Sequence, residues 1–198
     1  MAARGTTLIE VMVTVAIVGL LASMGAWQVT RLLPAWRTDA AARRFVLDVR
    51  RAQAIAARTN RAASISVALA PAAGCAGPSY RISSGGADYE TVCLATEFPG
   101  VTVAAAGASS IEGFGCEREI PLDETGCTFC GGGSGSLLVL PSGEVLRTGG
   151  DPDGEALLFA PAADAADGDP ADVRGVAIRT GTGTARAYRV RGGAWDCT

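Results

Sequence analysis

Apolar and polar residues change period twice along this chain. Residues 11–29, VMVTVAIVGLLASMGAWQV, carry no charge. As a helix the run spans roughly 28 Å, close to one hydrocarbon thickness. Trp27 followed by Arg31 reads as an interfacial anchor pair, and Pro34 is placed to kink the helix without ending it. Over residues 35–60 apolar positions return at helical spacing: Ala41, Phe45, Val49, Ala52 and Ala56, with Val46 and Ile55 widening the stripe. Arg43, Arg44, Asp48, Arg50, Arg51 and Arg58 fall mostly on the other face, so the pattern predicts an amphipathic helix that stops at Asn60.

Past residue 62 the period becomes two. ASISVALA (63–70), SYRISS (79–84), YETVCLA (89–95) and GVTVAAA (100–106) read as short strands. SGSLLVLPSGEVLRTG (134–149) reads as strand, Pro-Ser-Gly turn and strand. ALLFAP (156–161), VRGVAIRT (173–180) and TARAYRVRG (184–192) follow, the last two joined by a glycine-rich hairpin turn. Residues 107–133 and the acidic PAADAADGDPAD (161–172) read as long loops, the second without fixed structure. Helix first and strands afterwards predicts an α+β fold, with the helix packed on two antiparallel sheets.

Composition narrows the chemistry. In 198 residues there is no His, which removes the commonest metal ligand and general base, and all 17 basic residues are Arg. A net charge of −3 gives no global attraction to nucleic acid or anionic lipid. No nucleophile stands at a recognisable spacing from a base, so the reading is a non-enzymatic chain with no cofactor and no metal. Six cysteines, Cys75, Cys93, Cys116, Cys127, Cys130 and Cys197, all follow the apolar run and are read as disulfide formers in an oxidising compartment. Cys75 with Cys93 is the preferred pair because it would join neighbouring strands; the other four stay unassigned. For Cys127 and Cys130, CTFC, the alternatives are a redox pair or half a zinc site completed by Cys116 with Cys197 or a carboxylate. DPDGE (151–155) lacks the terminal acid of a calcium loop and reads as a turn.

One residue contradicts the apolar run beside it. A charge in hydrocarbon costs several kcal/mol, yet Glu10 heads the run in RGTTLIEVMV. A secretory signal peptide or a plain single-span anchor accounts for the length of the run but leaves Glu10 unexplained. GTTLIEVMVTVAIVGLLA, residues 5–22, resembles the prepilin leader junction of type IV pilins and type II secretion pseudopilins, departing from it at Thr6 where Phe is usual. The resemblance implies a leader of residues 1–5, cleavage by a prepilin peptidase between Gly5 and Thr6, N-methylation at Thr6, and an assembly charge pair at Glu10. It implies a pilin-like fold divided as 6–33, a hydrophobic transmembrane and assembly helix; 34–60, an amphipathic helix; and 61–198, a globular β-rich domain.

FVLDVRRAQAIAARTNRAASISV (45–67), LLVLPSGEVLRTG and VAIRTGTGTARAYRV are similar to the GspH/FimT subgroup of minor pilins. That similarity implies a subunit of a type II secretion pseudopilus or a type IV pilus, held in the inner membrane with its globular domain periplasmic or extracellular. The implied partners are other pilin or pseudopilin subunits, the prepilin peptidase, and a secreted substrate or adhesin. The alternative is a DNA-binding minor pilin of a competence pilus, using Arg186, Arg189 and Arg191 of TARAYRVRG.

Overall fold

The computed structural model describes residues 7–72, 74–108, 110–112, 119–121, 125–147, 154–168, 172–191 and 194–196; the side chains at 24–31, 112, 119, 121, 190–191 and 194–196 fall outside that description. The first helix, α1, is Leu8–Thr59 with Pro34 inside it. The chain divides into two compact units after Pro34, and each is taken by itself below. In the second unit, α1 ends as the sequence requires. Asn60 takes a left-handed φ of 51° and the Arg61 N–H donates back to the Ala56 carbonyl, which satisfies carbonyls the last turn leaves open.

The strands form two five-stranded antiparallel sheets. β1 (Ala63–Ala68), β2 (Ser79–Ser84), β3 (Ala87–Cys93), β7 (Ser134–Val139) and β8 (Val145–Leu146) make the first, in the order β3-β2-β1-β7-β8. β4 (Val101–Val103), β9 (Glu155–Pro161), β10 (Arg174–Ile178), β11 (Ala185–Arg191) and β12 (Ala194–Asp196) make the second, in the order β12-β11-β10-β9-β4. β5 (Ser110–Glu112) and β6 (Glu119–Pro121) pair as a separate hairpin, and α2 (Leu94–Glu97) and α3 (Ala162–Asp167) are short helices. The β2–β3 turn uses Gly85 and Gly86 at φ of 60° and 84°, the double positive φ that a tight hairpin twisted like its strands demands.

Phe45 of α1 joins the sheets. Its ring meets Tyr80 of β2 edge-on at 5.0 Å between centroids and Phe159 of β9 at 5.9 Å. Around it Ala41, Val49, Ala52 and Ala56 are buried against Ile65, Ile82, Leu137, Leu157, Val176 and Ile178. The small alanines let the helix lie close to both sheets, and the stripe read from helical spacing is the stripe that is buried. The second sheet is covered on both sides: a second cluster, including Ile111, Ile120, Leu158, Ala177 and Tyr188, lies behind it. Hence β9 and β10 are buried at every position, whereas β1 alternates.

Three sequence expectations change. The stretch 161–172 is not unstructured throughout. Ala162–Asp167 is helical because alanine is the best helix former, and Gly168 caps it at φ 72°. Residues 107–133 are not only loop, since β5 and β6 fall within them. Asp48, assigned to the solvent face, is buried, because Tyr80 and Arg44 satisfy its carboxylate.

Candidate functional site

The first unit presents the apolar run. Within 8–23 the polar side chains are Glu10, Thr14 and Ser23. The Thr14 hydroxyl donates to the Val11 carbonyl and the Ser23 hydroxyl to the Leu20 carbonyl, both at 2.8 Å. Each hydroxyl is thus spent on its own helix, a solution suited to surroundings that offer no hydrogen bonds. Leu8, Ile9, Met12, Val15, Val18 and Leu21 are exposed on this helix, and Glu10 lies in its first turn, where the helix dipole favours a carboxylate. Gly5 and Thr6 lie outside the described residues. Among the described residues no helix is long and apolar enough to cross a membrane; the second part of the uncharged run, residues 24–29, is among the side chains not described.

The C-terminal arginines do not all lie on one face of the second sheet. Arg174 pairs across β10 and β11 with Arg189, and both turn toward α1, where the Asp39 carboxylate lies 3.7 Å from Arg174 Nε and 3.9 Å from Arg189 Nη2. Arg43 closes on the same carboxylate at 2.8 Å. Arg186 is three residues from Arg189 on the same strand, so side-chain alternation puts it on the opposite face, the face that carries Tyr188, while it also lines a cleft with Arg43 and Arg50 of α1. The Arg191 side chain lies outside the described residues.

Two disulfides are seen among the described residues. Cys75–Cys93 ties the chain before β2 to the end of β3, the pairing preferred from the sequence. Cys127–Cys130 closes a tight loop, and both residues are buried. Cys116 and Cys197 lie outside the described residues, as do Asp151 and Asp153 of DPDGE. No group of three His, Cys, Asp or Glu among the described residues is arranged to hold a metal ion.

The 127–130 loop is held by a network that its sequence does not announce. Glu155, fully buried at the start of β9, accepts from the Thr128 hydroxyl and lies 3.2 Å from Arg147 Nη1, which also donates to the Thr128 carbonyl. Ala156 N–H donates to the Thr128 hydroxyl, and Thr128 N–H to the Ala156 carbonyl. A second network links α1 to the first sheet: Arg44 and Arg51 both pair with Glu90 of β3, and Tyr80 and Arg44 donate to Asp48 at 2.7 and 3.0 Å. Both networks fix loops and the helix in place. The one hint in the sequence was Glu155, an acid opening an otherwise apolar strand.

Comparison with protein-family models, with curated proteins and with solved structures gives no match for this chain.

Proposed function

We propose that this chain is a structural fibre subunit, a minor pilin or pseudopilin of the GspH/FimT type, serving a type II secretion pseudopilus or a type IV pilus. The observation that carries the reading is Glu10: the one charge in residues 8–23, five residues after Gly5, on a helix whose hydroxyls are already satisfied internally. On this reading the precursor waits in the inner membrane with its N-terminus cytoplasmic and its globular unit on the far side. Cleavage after Gly5 makes Thr6 a new amino terminus, and methylation keeps its positive charge. A carboxylate and an ammonium about 4 Å apart attract by on the order of 4 kcal/mol at an effective dielectric near 20. Glu10 therefore gains when a neighbour's amino terminus reaches it, and an unpartnered subunit is driven into the fibre.

A DNA-binding reading draws on Arg186, Arg189 and Arg191; strand alternation sets Arg186 on the face opposite Arg189, which gives that reading less support, and the fibre reading needs no such surface. The test is Glu10→Ala in the full chain, expressed with the other subunits of its machine. Membrane insertion, followed by fractionation, stays intact, while the amount recovered in sheared fibres or in pull-downs with the other subunits falls at least tenfold. Unchanged recovery sinks the proposal.

A further inference from the structure

The outward face of α1 in the second unit carries Trp36, Arg43, Leu47 and Arg50. Their spacings of seven, four and three place them on one stripe about four turns long. Trp36 is 74% exposed and Leu47 57%. Single exposed apolar residues are ordinary, but exposed Trp and Leu alternating with Arg is the composition of a binding surface. The surface is also concave. Arg43, Val46, Leu47 and Arg50 face Ala185, Arg186 and Ala187 of β11 across a cleft of about 530 Å³. Where β9 and β10 offer α1 Leu157, Phe159, Val176 and Ile178, β11 offers Ala185 and Ala187 beside Arg189, and Ala187 stays exposed. The helix covers the middle of the sheet and leaves a gap at this side.

An occupant of this cleft has to be negative, because Arg50 and Arg186 line it and Arg43, paired with Asp39, stands beside them. The chain contains such a segment. α3 exposes Ala162, Ala163, Ala166 and Asp167, and the surrounding 161–172 holds Asp164, Asp167, Asp169 and Asp172 with no basic residue. In contrast, α1 from residue 35 on carries Arg37, Arg43, Arg44, Arg50, Arg51 and Arg58 against Asp39 and Asp48. The cleft wall is therefore basic, through Arg50 and Arg186, and the α3 segment acidic.

We propose that the cleft between α1 and β11 receives α3 of a second copy of this chain. The two cannot meet within one copy. α3 follows β9 and its Ala162 N–H is bonded to the Gly100 carbonyl beside β4, whereas the cleft lies at β11, with β10 between. A contact between two different surfaces is heterologous, and such contacts run head to tail into rings or filaments rather than closing as a two-fold dimer. The inference takes its setting from the fibre reading above, but its chemistry lies wholly in the second unit and does not use Glu10.

The test uses the full chain in membranes, with the photocrosslinking residue p-benzoylphenylalanine at Leu47. Irradiation is expected to give a homodimer whose crosslinked peptide maps to residues 162–168. Arg50→Glu should lower its yield at least fivefold, and Arg50→Glu with Asp167→Arg should restore more than half; circular dichroism of each variant checks that it folds. No homodimer, crosslinks to lipid alone or to a foreign protein alone, a crosslink elsewhere on the second copy, a yield indifferent to Arg50→Glu, or failure of the charge swap to restore it each overturns the proposal. Adding Glu10→Ala separates the two claims: the crosslink persists if the cleft acts on its own, whatever becomes of the fibre. Loss of the crosslink in that variant overturns the independent cleft.

Discussion

Asp48 is the charged residue on the inward face of α1, and its neighbours account for its being there. Tyr80 donates to Oδ2 at 2.7 Å and Arg44 Nε at 3.0 Å. Burial, followed by the bond to Asp48, pushes the Tyr80 phenol well above its ordinary value, and the bond to Asp48 raises Arg44. A raised phenol is favoured protonated in the fold, so its contribution is whole below about pH 10 and is lost as pH rises past that. Tyr80→Phe should cost about 1–3 kcal/mol in urea unfolding near neutral pH. The difference from wild type should shrink above pH 10; a difference that grows there would contradict the assignment. Glu155 is the parallel case on β9. Glu155→Ala leaves Arg147 without its carboxylate and Thr128 without its acceptor, at a cost of about 3 kcal/mol, the low end for a broken buried pair because Arg147 still reaches solvent. Neither partnership was legible from the sequence. Spacing placed Phe45 and Val49 inward correctly, but Asp48 sits at the edge of that arc, and Tyr80, which draws it in, is 32 residues away.

At the scale of elements, the local signals carried furthest. SYRISS is β2 to the residue, the glycine-rich turn between β10 and β11 forms, and Gln53 of α1 ties it to the β7–β8 turn by donating to the carbonyls of Gly183 and Gly143. α3 was missed because acidic, small-residue composition was read as disorder although alanine dominates it. The split between Arg186 and Arg189 follows from a period of two, which a count of arginines overlooks. The disulfides differ in the loops they close. Cys75 and Cys93 are 18 apart in sequence and Cys127 and Cys130 only 3. Loop entropy then predicts that replacing the first pair by alanine costs about 3 kcal/mol and the second about 2 kcal/mol. Thermal unfolding of both double variants checks the order, and the reverse order would mean that native packing around Cys127 outweighs the loop term.

For the whole molecule, helix-then-strands predicted an α+β chain with two antiparallel sheets, and that is the architecture. Which strand joins which sheet was not legible. β1 pairs with β7 about seventy residues later and β4 with β9 just under sixty later, pairings chosen by the packed whole rather than by local pattern. The function claim rests at the other end of the chain, on a residue whose meaning depends on a bond being cut. The most direct measurement is the intact mass and N-terminal sequence of the full chain co-expressed with a prepilin peptidase. The account predicts a mature protein that begins at Thr6 and carries one N-methyl group. A chain that keeps Met1, or one that begins near Ala26 as a cleaved signal peptide would leave it, contradicts it.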